Sequence, residues 1–157
     1  MKKILFVCLG NICRSPSAEG VMAHLVEKQG LGQKIKLDSA GIIGFHAGEQ
    51  ADPRSREHAE KRGVELTSIA RQFNPSGDFH QFDYILAMDK RNFRDLTNLD
   101  KNKKFAHKIF MMTDFCRDMK VSDVPDPYYA GANGFELVLD ILEDACTGLL
   151  DKIKEEL

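Results

Sequence analysis

Cysteine is sparse in this chain, four in 157 residues, and none of the four falls into the C-x-x-C spacing of a zinc site or a thioredoxin-type redox pair. The count is also low for a secreted disulfide scaffold, so reduced thiols are expected and one of them is available for chemistry. There is no surplus of basic charge. Against 24 Asp and Glu stand 22 Lys and Arg, a formal charge of −2, which argues against non-specific binding to nucleic acid or acidic membranes. Any anion site must therefore be local. Long apolar runs are missing too. Lys2 and Lys3 followed by an apolar stretch begin like a signal peptide, but Gly10 and Asn11 stop the run at Leu9, far short of the roughly 18 residues of a membrane helix. The expectation is a soluble, cytoplasmic protein, a monomer or weak homodimer, with no nucleic-acid or membrane partner.

The histidines (His24, His46, His58, His80, His107) lack H-x-x-x-H or H-x-H spacing, and Asp38, Asp52 and Asp114 read as turn residues or helix caps, so no metal site is expected. Gly30-Leu31-Gly32 lacks the third glycine of a dinucleotide fingerprint and closes a helical stretch instead of opening one, so no cofactor is expected either. No repeat, low-complexity tract or linker interrupts the chain, and residues 1–157 read as a single domain. A composition of 43% hydrophobic and 29% charged residues is ordinary for a globular fold, and a chain of this length can bury a core without staples.

What is present is an alternation of short apolar runs with amphipathic stretches, the pattern of an α/β fold on a parallel sheet. Strands are predicted over residues 3–8, 35–39, 82–88 and 109–113. Helices are predicted from Ser15-Pro16 toward Gly30, with Val21, Leu25 and Val26 inward; from Asp52-Pro53; after Asp89, with Phe93 and Leu96; and over the C-terminal stretch. That last stretch carries Phe135, Val138, Leu139, Leu142, Cys146, Leu149, Leu150, Ile153 and Leu157 at spacings of three and four, the clearest helical period in the chain. Segments 41–52, 69–81 and 115–133 have no periodicity and read as loops, and loops of that length are often functional.

In open parallel sheets ligands bind beyond the carboxyl ends of the strands. The turn after the first strand, Cys8-Leu9-Gly10-Asn11-Ile12-Cys13-Arg14-Ser15, places a cysteine and an arginine six apart at a strand-to-helix junction. Successive backbone N–H groups running into a helix N-terminus make an anion nest, suited to phosphate or its analogues. Gly10 permits close approach of the backbone, and Asn11 tolerates the left-handed conformation such a loop needs. Arg14 can fork two N–H groups onto two phosphate oxygens. The same positive field favours the thiolate of Cys8, the form that attacks phosphorus, and Ser15 could donate its hydroxyl to it. Cys13 is open to two readings, packing beneath the loop or a redox partner for Cys8.

Cleaving a phosphate ester also needs a proton donor for the leaving oxygen. In Val124-Pro125-Asp126-Pro127-Tyr128-Tyr129 the prolines on either side restrict the backbone and present Asp126 from a stiff loop. Phe45, Tyr128 and Tyr129 could wall a slot for a phenyl ring, with Ile12 as its apolar floor.

These residues resemble the low-molecular-weight protein tyrosine phosphatases. The stretch Val7 to Pro16 is similar to that family's signature loop and Val124 to Tyr129 to its acid loop. Asp38-Ser39-Ala40-Gly41, Ala51-Asp52-Pro53-Arg54, Ala70-Arg71-Gln72, Met88-Asp89 and Gly134-Phe135-Glu136 follow as landmarks in order. The resemblance implies a flavodoxin-like, doubly wound four-stranded parallel sheet flanked by helices, and a metal-free phosphomonoesterase with a cysteinyl-phosphate intermediate. It implies Cys8 as nucleophile, Arg14 as phosphate clamp, Ser15 as thiolate partner, Asn11 as loop organiser and Asp126 as acid, then base. Phosphate, or another oxyanion, would sit on Leu9, Gly10, Asn11, Ile12, Cys13, Arg14 and Ser15. Phe45, Tyr128 and Tyr129 would form the substrate rim, and Cys13 could form a reversible disulfide with Cys8. The expected partner is a phosphotyrosine-containing protein. Ile42-Ile43 replaces frequent hydroxyl residues, and Ala130 a frequent glycine. Two alternatives use a similar fold: an arsenate reductase, disfavoured because Cys116 and Cys146 are not closely spaced, and a phosphocysteine carrier, which would not need an aspartate between prolines. Phosphoarginine hydrolysis is disfavoured by Ile12, where a hydroxyl residue would be expected.

Overall fold

The structure, a computed structural model, describes residues 1–128 and 130–157. Four strands, β1 (Lys2–Cys8), β2 (Ile35–Gly41), β3 (Tyr84–Ala87) and β4 (Ile109–Met111), form one sheet in the order β2-β1-β3-β4, and every pairing is parallel. Five helices connect and flank them: α1 (Arg14–Lys28), α2 (Pro53–Glu60), α3 (Pro75–Gln81), α4 (Lys90–Leu99) and α5 (Gly131–Lys154). The chain moves one way from β1 to β2 and the other way from β1 to β3. The topological switch point therefore lies at the carboxyl end of β1, where such sheets open a crevice for ligands. Among the described residues no helix is long and apolar enough to cross a membrane.

Period-two alternation in β1 explains the two core layers. Ile4, Phe6 and Cys8 face α1 and α5 across one side of the sheet, while Leu5 and Val7 face Phe73, Phe79, Phe82 and Leu96 on the other. Helix α5 supplies most of the first layer. Its predicted stripe is buried from Phe135 to Ile153 and gains Ile141 and Ala145. Leu157 departs from it, exposed beyond the end of the helix, where no further turn carries it back to the core.

Three other expectations need correction. Segment 69–81 is not all loop, because α3 occupies its second half. Asn74 caps that helix by accepting from the Ser76 N–H, and Pro75 begins it. A helix of seven residues is too short for a 3.6-residue period to repeat, which is why periodicity missed it. Helix α1 begins at Arg14 with Cys13 as its N-cap and no side-chain cap bond. Ser15 therefore sits inside the helix, with its hydroxyl turned elsewhere. Asp38 is no turn residue: it lies within β2 and pairs with Arg71. By contrast Asp52 and Asp89 cap α2 and α4, each accepting from a backbone N–H in the first turn.

Candidate active site

The segment from Cys8 to Ser15 wraps around the carboxyl end of β1 and enters α1. Asn11 has a φ of 60°, the left-handed conformation that asparagine tolerates better than most residues. A second strand end backs the loop: Ile42 N–H donates to the Cys8 carbonyl at 3.0 Å and Ile43 N–H to that of Leu9 at 2.9 Å. The approach is so close that a Cβ on Gly41 would stand 2.9 Å from a backbone carbon of Gly10, and only glycine fits there. On the far side the Asp52 N–H, at the start of α2, donates to the Ile12 carbonyl at 2.8 Å.

Cys8 is nearly inaccessible, yet its sulfur is well served with donors. The Asn11 N–H points at Sγ from 3.3 Å, and Ser15 Oγ lies 3.0 Å away. The direction of that second bond follows from its neighbours. Asn11 Nδ2 donates to Ser15 Oγ at 2.7 Å, and the Arg71 N–H fixes the amide by donating to Asn11 Oδ1 at 3.0 Å. With its oxygen already accepting from Asn11, the Ser15 hydroxyl has one hydrogen to give, to the sulfur at 3.0 Å or to the Ala40 carbonyl at 3.5 Å, and the sulfur is the nearer. Both groups, the Asn11 N–H and the Ser15 hydroxyl, can donate to the sulfur. The 14–28 helix also begins here, and its first intrahelical bond, Ser17 N–H to Cys13 O, leaves the earlier N–H groups of Arg14 and Ser15 ahead of the ladder, available to an anion.

Arg14 is 3% exposed. Its Nη1 donates to Asp89 Oδ2 at 2.6 Å and to the Val124 carbonyl at 3.2 Å, and Nη2 lies 3.7 Å from Asp126 Oδ2. Burial works against its charge, but the Cys8 sulfur and the carboxylates of Asp89 and Asp126 outweigh it and raise the guanidinium above its ordinary value. Both Nη1 hydrogens are thus committed, which fixes the plane of the fork. Val124 donates its N–H at 2.8 Å to the carbonyl of Met88, the residue that follows β3, so the entry to the acid loop is braced at the end of the strand beside β1. Beyond it Asp126, half exposed, accepts the Tyr128 N–H on Oδ1 at 3.1 Å.

Cys8, Leu9, Gly10, Ile12, Cys13, Arg14, Asp126 and Tyr128 line one cleft of about 220 Å³, together with Ile43 and His46. Phe45, expected on the rim, stands 79% exposed outside that lining with its ring edge-on to His46. Tyr129 lies outside the described residues. Burial pushes the Cys13 thiol up to about 12, a hydrogen bond with Ser55 opposing it, so Cys13 stays protonated at neutral pH. Among the described residues no group of three or more His, Cys, Asp or Glu is placed to hold a metal ion.

Four contributors escape a reading of single residues. Asp89 looks like a helix cap and is one, but its second oxygen holds Arg14. Arg71 acts through its backbone N–H, which no side-chain pattern reports. Ile43 and His46 sit in an aperiodic loop. The Met88-Asp89 and Ala70-Arg71-Gln72 landmarks were the only signals available for the first two.

The Asn11 network carries its own prediction. Asn11→Ala removes the amide that orients Ser15 and leaves a β-carbon residue at positive φ. It is expected to cost about 1–2 kcal/mol of stability in chemical denaturation and to lower kcat about tenfold in steady-state assays, with reduced inhibition by phosphate.

The arrangement can hold a tetrahedral oxyanion on loop amides and a guanidinium, offer it a sulfur nucleophile, and place a carboxyl group in the same cleft. Comparison with known proteins places the chain among relatives of one family. The family model described as low molecular weight phosphotyrosine protein phosphatase matches residues 3–157. A low molecular weight protein-tyrosine-phosphatase of Streptomyces coelicolor is 42% identical over 158 residues, covering 98% of this chain and 94% of that protein. The crystal structure of a protein tyrosine phosphatase from Entamoeba histolytica, with Hepes in its active site, superposes with a TM-score of 0.95 at 48% identity, covering 99% of both chains. That of YfkJ from Bacillus subtilis gives a TM-score of 0.92 at 41% identity, covering 99% of this chain and 96% of the other.

Proposed function

The chain belongs to the low molecular weight phosphotyrosine protein phosphatase family, and from that membership we propose how its own residues hydrolyse phosphotyrosine in a protein substrate. The phosphate dianion sits on the amides of the 8–15 loop and the fork of Arg14. Cys8 thiolate attacks phosphorus in line with the ester oxygen, the S–P bond forms, and the P–O bond breaks with its electron pair on the tyrosyl oxygen. Asp126 delivers its proton to that oxygen, so tyrosine leaves as a neutral phenol. The Asp126 carboxylate then takes a proton from water as the water oxygen attacks the cysteinyl phosphate. The S–P bond breaks, inorganic phosphate forms, and the electron pair returns to Cys8, where the Ser15 hydroxyl and the Asn11 N–H receive it. Ile12 and Tyr128 offer apolar surface to the substrate ring.

The observation that carries this reading is the convergence of three groups on one cleft: Cys8 sulfur in a cradle of donors, Arg14 with its Nη1 committed, and Asp126 3.7 Å from Nη2 of the same guanidinium. The test is phosphate release from phosphotyrosyl, phosphoseryl and phosphoarginyl peptides in chelator and reductant. Turnover of the phosphotyrosyl peptide alone is expected. Asp126→Asn should lower kcat/KM for that peptide about 10²- to 10³-fold, the usual contribution of a positioned acid. Equal turnover of the phosphoarginyl peptide would overturn the substrate assignment, and a chelator-sensitive rate would overturn the thiol mechanism.

A further inference from the structure

The acid loop is tied at Val124 to the Met88 carbonyl, regular structure resumes after it only at α5, and Asp126 between them is half exposed. A general acid must hold its place to within a fraction of an ångström. Its own bonds supply little: one N–H from Tyr128, and a 3.7 Å approach to Arg14.

Arg54, the second residue of α2, supplies the missing restraint. Asp52 takes its Nε on Oδ1 at 3.1 Å and its Nη2 on Oδ2 at 2.9 Å, and accepts its backbone N–H at 2.8 Å. That fixes the plane of the guanidinium. The remaining nitrogen, Nη1, donates to the Tyr128 carbonyl at 3.0 Å. The cation also lies 5.0 Å from the centroid of the Tyr128 ring and 4.9 Å from that of Phe135 in the first turns of α5, contacts of cation–π type. Tyr128 is thus held at both ends of its backbone, its C=O by Arg54 and its N–H by Asp126. The anchor itself is pinned to the phosphate loop through the Asp52 N–H and the Ile12 carbonyl. One planar cation ties the loop that carries the nucleophile to the loop that carries the acid.

We propose that Arg54 is a positioning residue for proton donation: it sets the place of Asp126 relative to the leaving-group oxygen by holding Tyr128. The proposal rests on the reading of Asp126 as general acid. Arg54 is not in the wall of the cleft, so its effect is on leaving-group protonation and not on phosphate binding. A lysine cannot reproduce it, because an ammonium does not fork onto a carboxylate and a carbonyl in one plane.

The experiment measures kcat/KM, which reports the steps through expulsion of the phenol, for a dinitrophenyl phosphate, phenyl phosphate and a phosphotyrosyl peptide. Inhibition by inorganic phosphate is measured beside it. Arg54→Ala and Arg54→Lys are expected to lose about tenfold or more on the phosphotyrosyl peptide and less than about twofold on the dinitrophenyl ester, whose phenolate leaves without a proton. The phosphate inhibition constant should stay within about twofold, which also shows that the loop is folded. In an Asp126→Asn background Arg54→Ala should add no further dependence on the leaving group. Equal losses across the series, no loss, a parallel change in phosphate inhibition, or an additive dependence in the double variant would each overturn the proposal. If Asp126→Asn alone showed no dependence on the leaving group, the general-acid reading itself would fail, an outcome read directly from that single variant.

Discussion

Cys8→Ser is expected to lose at least about 10⁴-fold in kcat toward a phosphotyrosyl peptide, to the level of the uncatalysed background. A serine in that place keeps the volume and the neighbours. Asn11 N–H and Ser15 Oγ, at 3.3 and 3.0 Å from the sulfur, would hydrogen-bond an alkoxide too. A serine hydroxyl is a far weaker acid and a poorer nucleophile toward phosphorus than a thiol, and hydrogen bonds from these two groups do not make it an alkoxide. Because the loop amides and Arg14 are untouched, inorganic phosphate should still bind, with an inhibition constant within a few-fold of the wild type. Steady-state rates together with a phosphate-binding titration check both halves. Background-level turnover with intact binding is the expected pair, and loss of binding as well would mean that the sulfur has a structural part in shaping the loop.

Arg14→Lys comes next in size, with a loss of about 10³-fold in kcat/KM, of the order seen when an oxyanion is deprived of its principal donor. Charge alone does not rescue it. Nη1 serves Asp89 and the Val124 carbonyl while Nη2 faces the side of Asp126, so one planar group braces the acid loop and still has donors for phosphate. An ammonium at the end of a flexible stem would pair with Asp89 at 2.6 Å range or reach phosphate, and would not do both in fixed directions. Inhibition by phosphate should weaken in parallel, unlike in Cys8→Ser. The contrast between the two variants separates the binding of the oxyanion from the attack upon it.

The loop around Cys8 was legible in the sequence because its chemistry is local. A strand end, a residue suited to positive φ, an arginine and a serine follow one another within eight positions, and Asn11 adopts the conformation its side chain tolerates. Helix α5 was legible for a different reason, since 24 residues give the period room to repeat. What single residues do not announce is long-range pairing. Asp89 lies 75 positions from Arg14, and the Arg71 N–H 60 positions from Asn11. Each such residue has a sufficient local explanation, a cap in one case and a surface arginine in the other. Arg54 belongs with them: beside Asp52 it reads as part of a helix start, while its Nη1 meets the chain again 74 positions later. Ser15 shows the opposite error. It reads as the start of a helix, but it lies one residue inside, and its hydroxyl meets Asn11 and Cys8 instead of the helix end.

The measurement that bears most directly on the account is rapid-quench trapping of the phosphoenzyme. Asp126→Asn, which lacks the base for the second step, is mixed with a dinitrophenyl phosphate and quenched, and the site of modification is mapped by mass spectrometry. The account predicts a burst of about one phenol per enzyme and a phosphoryl group on the sulfur of Cys8. Phenol release with no covalent adduct, or a phosphoryl group on any other residue, would contradict it.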